Sequence, residues 1–362
     1  MLALTLVVRD EEDILAANLD YHLAQGVDVI LAIDHGSSDS TPEILSDYER
    51  TGRVHSFRDE SRAHDQASRV NGLLRIAAES HGADWVIHCD ADEFWLPAAG
   101  SLRDVFAAVP DRYGYLIVAR NNFLALPEDG RPFHQRLIVR ERRSLNIRGE
   151  VLEPKVAQRP AAAAAVAPGN HDLEAPVMDP APDIGAVDVG HYPMRSFEQF
   201  ERKVVNTGIG YELLQDRAEG VGQDQLELLR MQRSGALRSY YDAQAVDENR
   251  LEAGELVLDE RLQAVLGDDH GRVEESPTVQ QLLRGVWSLA GSTDDARLAA
   301  EDRGRELESQ LAQLAAELDR SRQETQQLAD TLASVRASAI MRYTAPARRA
   351  YYRLRPRANT PR

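Results

Sequence analysis

The sequence is short of cysteine, of basic residues and of long apolar runs, and each shortage closes off a class of function. One cysteine, Cys89, among 362 residues cannot form an intramolecular disulfide, so no disulfide framework supports the fold and a reducing compartment is expected. Forty-two Lys and Arg stand against 59 Asp and Glu, a net charge of −17, which lacks the basic footprint of a general nucleic-acid binder. No stretch reaches the roughly 18–20 apolar residues that cross a bilayer. The opening MLALTLVVRDEED has neither a basic n-region nor a small-residue cleavage site, so no signal peptide is expected and the chain reads as cytoplasmic. VVRDEED, after the first apolar run, also has no glycine. A nucleotidyltransferase on an α/β sheet would need a Gly-rich, Lys-bearing phosphate loop there, so that class is disfavoured.

What is present begins with short apolar runs separated by helical periodicity. Leu2–Val8, Val27–Ile33, Val54–Phe57 and Trp85–Cys89 read as buried strands. Between them, Glu12–Gln25 carries Ile14, Leu15, Leu19 and Leu23 at helical spacing and closes on Gly26. Thr41-Pro42 opens a second helix, with Pro at an early position, and Gln66–Ser80 forms a third. Strand and helix alternating at this spacing predict βαβ units, a parallel sheet with helices on both faces, and a ligand at the carboxyl ends of the strands. Polar residues gather at those ends: Arg9-Asp10-Glu11, Asp34-His35-Gly36, Arg58-Asp59 and Asp90-Ala91-Asp92. A helix near Leu102–Val109 and strands at Tyr115–Ala119 and Arg136–Arg140 are expected next. Residues 159–170, RPAAAAAVAPGN, read as a low-complexity loop. Phe197–Leu214 reads as a helix, and 222–290 as largely helical.

The segment VIHCDADEFWLP, residues 86–97, ends an apolar run with three carboxylates in four residues, Asp90, Asp92 and Glu93. Like charges this close repel and resist burial, so either a cation sits among them or the tip is a solvated acidic turn. In an extended strand tip, residues two apart point the same way. Asp90 and Asp92 would then face one hard cation, Mg²⁺ or Mn²⁺, able to bridge a diphosphate.

IDHGSSDST, residues 33–41, with CDADEFW about fifty residues on, resembles the DDGSxDxT turn and acidic motif of family 2 glycosyltransferases. VRDEEDILAANLDYHLAQGVD and HYPMRSFEQFERKV, residues 191–204, resemble a bacterial branch of that family. The resemblance spans roughly residues 1–215 and departs from the pattern at His35, where a second acidic residue is usual. It implies an α/β GT-A fold, a nucleotide-sugar donor, a divalent metal and inversion at the anomeric carbon. Under it, Asp34 accepts hydrogen bonds from base or ribose, Arg9 and Glu11 frame the nucleotide, and Asp90 contacts ribose and metal. Asp92 becomes the main metal ligand, with His191 or His171 as a third. Asp39 contacts the base or merely caps the next helix; Arg69 meets a phosphate or salt-bridges on its helix. Trp95 walls the sugar pocket or packs in the core, and Glu93 orients its neighbours. An inverting transfer needs a general base, for which Asp172 and Glu150 are candidates. Lys155 and Arg148 would meet donor phosphates or an anionic acceptor.

The expected organisation is a GT-A domain over 1–215, a helical extension over 216–296, a coiled coil over 297–337 and a basic tail over 338–362. Leu307, Leu311, Leu314, Leu318, Leu328, Leu332 and Val335 alternate spacings of 4 and 3, with Ser321 and Thr325 in the gap. That is about four heptads, enough for a homo-oligomer of two or three strands. From Arg336 to Arg362 there are eight Arg and no acid, so the tail is +8 against −25 for the rest. With Tyr343, Tyr351 and Tyr352 it would suit the anionic inner membrane face, as a lipid-linked acceptor would require, or serve as a solubilising end. The leading expectation is thus a metal-dependent glycosyltransferase acting on a glycan or lipid-linked acceptor in bacterial surface polysaccharide synthesis. A transferase-like scaffold without activity is the non-enzymatic alternative.

Overall fold

The computed structural model describes residues 1–290, apart from 62–65, 127, 215–219, 246–249, 251–252 and 268–276. Met1–Gly291 form one compact unit; Ser292–Arg362, with the heptad leucines and the basic tail, lie outside the described residues.

Strand β1 (Leu2–Val8) is almost wholly buried inside the main sheet, because its apolar run has strand neighbours on both edges. β2 (Val29–Asp34) and β4 (Trp85–Asp90) flank it in parallel, and β3 (Val54–Arg58) adds to β2. The linking helices are α1 (Leu15–Ala24), α2 (Thr41–Glu49) and α3 (Gln66–His81). α1 begins later than the apolar spacing suggests: Ile14 and Leu15 donate back to the Glu11 carbonyl in a tight turn, leaving Glu11 and Asp13 for other partners. After β4 come β5 (Glu93–Pro97), α4 (Leu102–Ala108), β6 (Tyr113–Val118) and β7 (Arg120–Asn122). The continuous strand expected over Arg136–Arg140 is instead a short helix α5 (Phe133–Arg136) followed by β8 (Val139–Glu141). Arg136 is drawn into the helix because its guanidinium donates to the Leu126 and Arg195 carbonyls.

β9 (Lys155–Gln158) runs antiparallel to both β4 and β6, and the seven-stranded order from the far edge is β12 (Asp179–Pro180), β6, β9, β4, β1, β2, β3. The Ala-rich stretch after β9 is folded against the expectation of a loose loop. Its small side chains Ala164 and Val166, with Leu173, pack against Val70 and Val156, and β10 (Ala165–Val166) pairs with β11 (Leu173–Glu174). β13 (Val187–His191) joins β5 antiparallel and β7 parallel in a second, three-stranded sheet. α6 (Phe197–Glu212), α7 (Gln223–Ser234) and α8 (Leu237–Ala243) follow. β14 (Leu256–Leu258) then pairs back onto β8.

The later helices close onto the same unit. Leu262 and Leu266, from the helix Arg261–Leu266, share a cluster with Tyr21, Phe94 and Tyr192, and Trp287 from the helix Pro277–Ala290 is buried in the main core. Burying such a side chain fully contributes about 1.5–3 kcal/mol or more each, so these contacts are structural. Phe94 and Trp95 are both fully buried among core side chains, which decides Trp95 for core packing and not for a pocket wall.

Candidate active site

The carboxyl ends of β1, β2, β3 and β4 lie side by side, and the second sheet brings His191 to the same place. Asp90 ends β4 and Glu93 begins β5, so Ala91 and Asp92 form a tight turn where a continuous extended tip was expected. Buried Asn18 on α1 holds that turn: its amide donates to the carbonyls of Ala91 at 3.0 Å and Glu93 at 2.8 Å. The Tyr192 N–H donates to the Asp92 carbonyl at 2.8 Å, which ties the end of β13 to the same turn.

Each carboxylate in the turn meets a cation of the chain itself. Asp90 Oδ2 accepts from Lys155 Nζ at 2.6 Å, and its Oδ1 from Gln66 at 2.7 Å and Asn170 at 3.4 Å. Glu93 is wholly buried and pairs with Lys155 at 3.0 Å and Arg120 at 3.2 Å. Asp92, 1% exposed, accepts from Lys203 Nζ at 2.6 Å through the same Oδ2 that lies 3.3 Å from His191 Nε2. Lys203 also donates to Glu11 at 2.8 Å, and Glu11 pairs further with Arg195, which clamps Asp13 at 2.7 Å. Burial alone would raise the Asp92 carboxyl, but Lys203 and His191 beside it hold it well below the usual range. Asp90 is also lowered: Lys155 outweighs both its burial and the repulsion of Asp92. Lys155 and Lys203 are correspondingly raised, since their carboxylate partners outweigh the cost of burying an ammonium.

The other expected residues divide into those drawn into this centre and those set apart. Asp34 is buried at the end of β2; Oδ1 accepts from the Ser37 N–H at 2.9 Å, while Oδ2 has no hydrogen bond and lies 3.4 Å from Arg58. Asp39 spends both oxygens on backbone, accepting from the Thr41 and Glu12 N–H groups at 3.0 and 3.1 Å. Arg69 donates to Asp59 and Ser61, each at 2.7 Å, so its guanidinium joins β3 to α3. Beside it His35 lies 2.7 Å from the Ser61 carbonyl, and burial and the Arg69 charge lower its pKa. Arg9 is exposed, 3.6 Å from Asp10.

His171 stands apart from Asp92. Its Nδ1 is 2.8 Å from the Pro154 carbonyl and its Nε2 3.2 Å from Glu153, and burial with nearby Lys155 lowers it to about 4. Asp172 is exposed on the same turn as Asn170, with Oδ1 on the Leu173 N–H. Glu150 is exposed on the loop after β8, tied to Asn146 at 3.0 Å and to Arg148 at 2.9 Å. Arg148 continues to Asp224.

Sequence reasoning missed Lys203, Arg195 and Asn122. One signal was available for Lys203: it sits on α6 between Phe200 and Val204, which are buried, so a lysine occupies the edge of an inward face.

His191 shows how a cation would be held. Its Nδ1 is 2.7 Å from Asn122 Oδ1. The amide oxygen can only accept, so Nδ1 donates to it and Nε2 is the ring nitrogen that faces Asp92; metal-binding histidines are oriented in this way. Among the described residues no group of three or more His, Cys, Asp or Glu side chains is arranged to hold a metal ion. The Asp92–His191 pair is a two-ligand seat that fits a hard cation completing its shell with water and phosphate oxygens.

The model for glycosyl transferase family 2 matches residues 5–149. Those residues, about two fifths of the chain, are similar to family 2 glycosyltransferases. The fold around them is an α/β sheet with the acidic turn at its carboxyl edge. The match ends before Lys155, His191 and Lys203, so the basic half of the centre comes from beyond it. No curated protein matches the sequence. Among solved structures, S. aureus TarS 1-349 in complex with UDP-GlcNAc is 14% identical over 86% of this chain and 91% of that chain, with a TM-score of 0.37. A longer S. aureus TarS structure, also 14% identical, aligns over 69% of this chain and 46% of that one, TM-score 0.36, so this chain spans about half its length. Glucosyl-3-phosphoglycerate synthase from Mycobacterium tuberculosis, in complex with Mg²⁺ and UDP, is 16% identical over 33% of this chain and 43% of that chain, with a TM-score of 0.25.

Proposed function

We propose that this chain is a glycosyltransferase, metal-dependent and inverting, that moves a sugar from a nucleoside-diphosphate donor to a glycan or lipid-linked acceptor in bacterial surface polysaccharide synthesis. The observation that carries the reading is the convergence of Asp92 Oδ2 and His191 Nε2, 3.3 Å apart, beside Asp90 at the carboxyl edge of the sheet. Asp92 and His191 would hold Mn²⁺ or Mg²⁺, with Asp90 alongside. A bound divalent cation neutralises the charge that grows on the departing diphosphate. The chain does the rest. Asp34, buried with one carboxylate oxygen that takes no hydrogen bond and only a 3.4 Å ion pair to Arg58, accepts from the nucleoside. Lys155 keeps Asp90 ionised and in place. As general base Asp172 is better placed than Glu150, because its turn also carries Asn170, which reaches Asp90, whereas Glu150 is engaged with Asn146 and Arg148. Arg9, Glu11, Asp39 and Arg69 line or brace the nucleotide edge through the contacts above. The basic, Tyr-bearing tail would hold the enzyme on an anionic membrane face next to a lipid-linked acceptor, and the heptads would pair copies of it.

Thermal unfolding with UDP, GDP and dTDP, each with and without Mn²⁺, tests this on wild type and Asp92→Asn. A ligand that binds the native state raises stability by about 2.7 kcal/mol at a hundredfold excess over Kd. The expected result is a shift that needs metal, prefers one base and is lost in the variant. No shift with any pair would overturn the metal-diphosphate reading.

A further inference from the structure

Two lysines stand on the acidic turn, and they are not equivalent. An ammonium has three N–H donors. Lys155 donates to Asp90 and to the Gly169 carbonyl at 2.8 Å and ion-pairs with Glu93 at 3.0 Å, and its side chain is 1% exposed. It is a fixed structural cation. Lys203 spends two, on Asp92 and Glu11, and its side chain is 35% exposed. Among the described residues its third N–H meets no acceptor. Lys203 reaches the turn from α6, and its Asp92 contact is to Oδ2, the oxygen that also faces His191 Nε2.

That shared oxygen sets up a conflict. A divalent cation seated between Asp92 and His191 would need Oδ2, and an ammonium 2.6 Å from the same atom would repel it at contact range. Held on one oxygen, the two cations would repel each other, so each weakens the other's hold. Lys203 has somewhere to go: Glu11 at 2.8 Å remains as an anchor, and the free N–H suits an anionic oxygen. A diphosphate bridging the cation would bring such oxygens to the same spot.

We propose that Lys203 competes with the divalent cation for Asp92, and that the donor's diphosphate draws it off, so that metal and donor bind interdependently. The inference rests on the metal-diphosphate reading of the site and adds a positioning role for Lys203 within it. Metal alone binds weakly because it must displace the lysine. Metal with nucleoside diphosphate binds well because the displaced ammonium gains a phosphate partner. By linkage the coupling is reciprocal: the factor by which nucleotide tightens metal is the factor by which metal tightens nucleotide.

The test is a Mn²⁺ titration of the full chain followed by electron paramagnetic resonance of free Mn²⁺, with and without UDP, GDP or dTDP. It is run on wild type, Lys203→Met, Lys203→Gln and Lys203→Arg. In wild type, one nucleotide should tighten Mn²⁺ binding about tenfold or more. Lys203→Met should bind Mn²⁺ alone about tenfold more tightly than wild type, with most of the nucleotide effect gone. Lys203→Gln, which keeps hydrogen bonding to Glu11 and Asp92 without charge, should behave in the same way and stands in if the Met variant is unstable. Lys203→Arg should resemble wild type. If the neutral variants bind Mn²⁺ no more tightly than wild type while wild type retains its Mn²⁺-dependent nucleotide binding, the competition is refuted and the site reading stands. If wild type binds Mn²⁺ under no condition, both are overturned.

Discussion

Lys155→Met tests how far the acidic turn depends on the chain's own cations. The substitution keeps the length of the stem and removes only the ammonium. Glu93 would remain wholly buried with Arg120 at 3.2 Å as its one ion-pair partner among the described residues, and Asp90 would lose its 2.6 Å partner. Removing one member of a buried ion pair leaves an uncompensated charge and costs about 3–5 kcal/mol. At roughly 2–4 °C per kcal/mol for a unit of this size, the melting temperature should fall by about 6–20 °C. Urea unfolding of wild type, Lys155→Met, Glu93→Gln and the double variant gives the coupling directly. The double variant should be more stable than Lys155→Met, because the deepest orphan charge is gone while Asp90 keeps Gln66 and partial exposure. A loss below about 1 kcal/mol in the single variant, or a double variant whose losses simply add, would refute the argument that Lys155 and Glu93 act as a buried pair.

Two further perturbations bear on the same core. His22 is buried and neutral, its pKa lowered by desolvation from 6.5 to about 4, and His88 is lowered to about 3. For a folded-state pKa below the unfolded one, stability is intact above 6.5 and lost as pH falls through the folded value. His22 should therefore cost about 3 kcal/mol between pH 6.5 and 4. Urea midpoints at pH 7.0, 5.5 and 4.5 should decline steadily, and a flat profile would contradict neutral burial; Asp59, lowered to about 2, loses its contribution only at lower pH. Gly190 precedes His191 in β13, and a Cβ there would lie 2.8 Å from Leu96 and 2.9 Å from Phe123. Gly190→Ala should cost about 1–3 kcal/mol by overpacking, read as a lower melting temperature. An unchanged melting temperature would show that the contact yields freely.

Most of the sheet and half of the site follow from local sequence. The four apolar runs, their helical spacers and the polar residues that end them are short-range patterns. Period and turn chemistry alone put Asp34, Asp90 and Asp92 on one edge. Local pattern failed where long-range partners overrode it. Arg136 wound into a helix to reach the carbonyls of Leu126 and Arg195. The Ala-rich stretch folded because its small side chains fit against Val70 and Val156. What neutralises the three carboxylates was not legible at all, since Lys155 and Lys203 lie 65 and 111 residues from the aspartates they meet. Short-range periodicity determines which residues end a strand. Only the packing of β9, β13 and α6 around that end decides which charges face each other, because Coulomb attraction depends on distance through space and not along the chain.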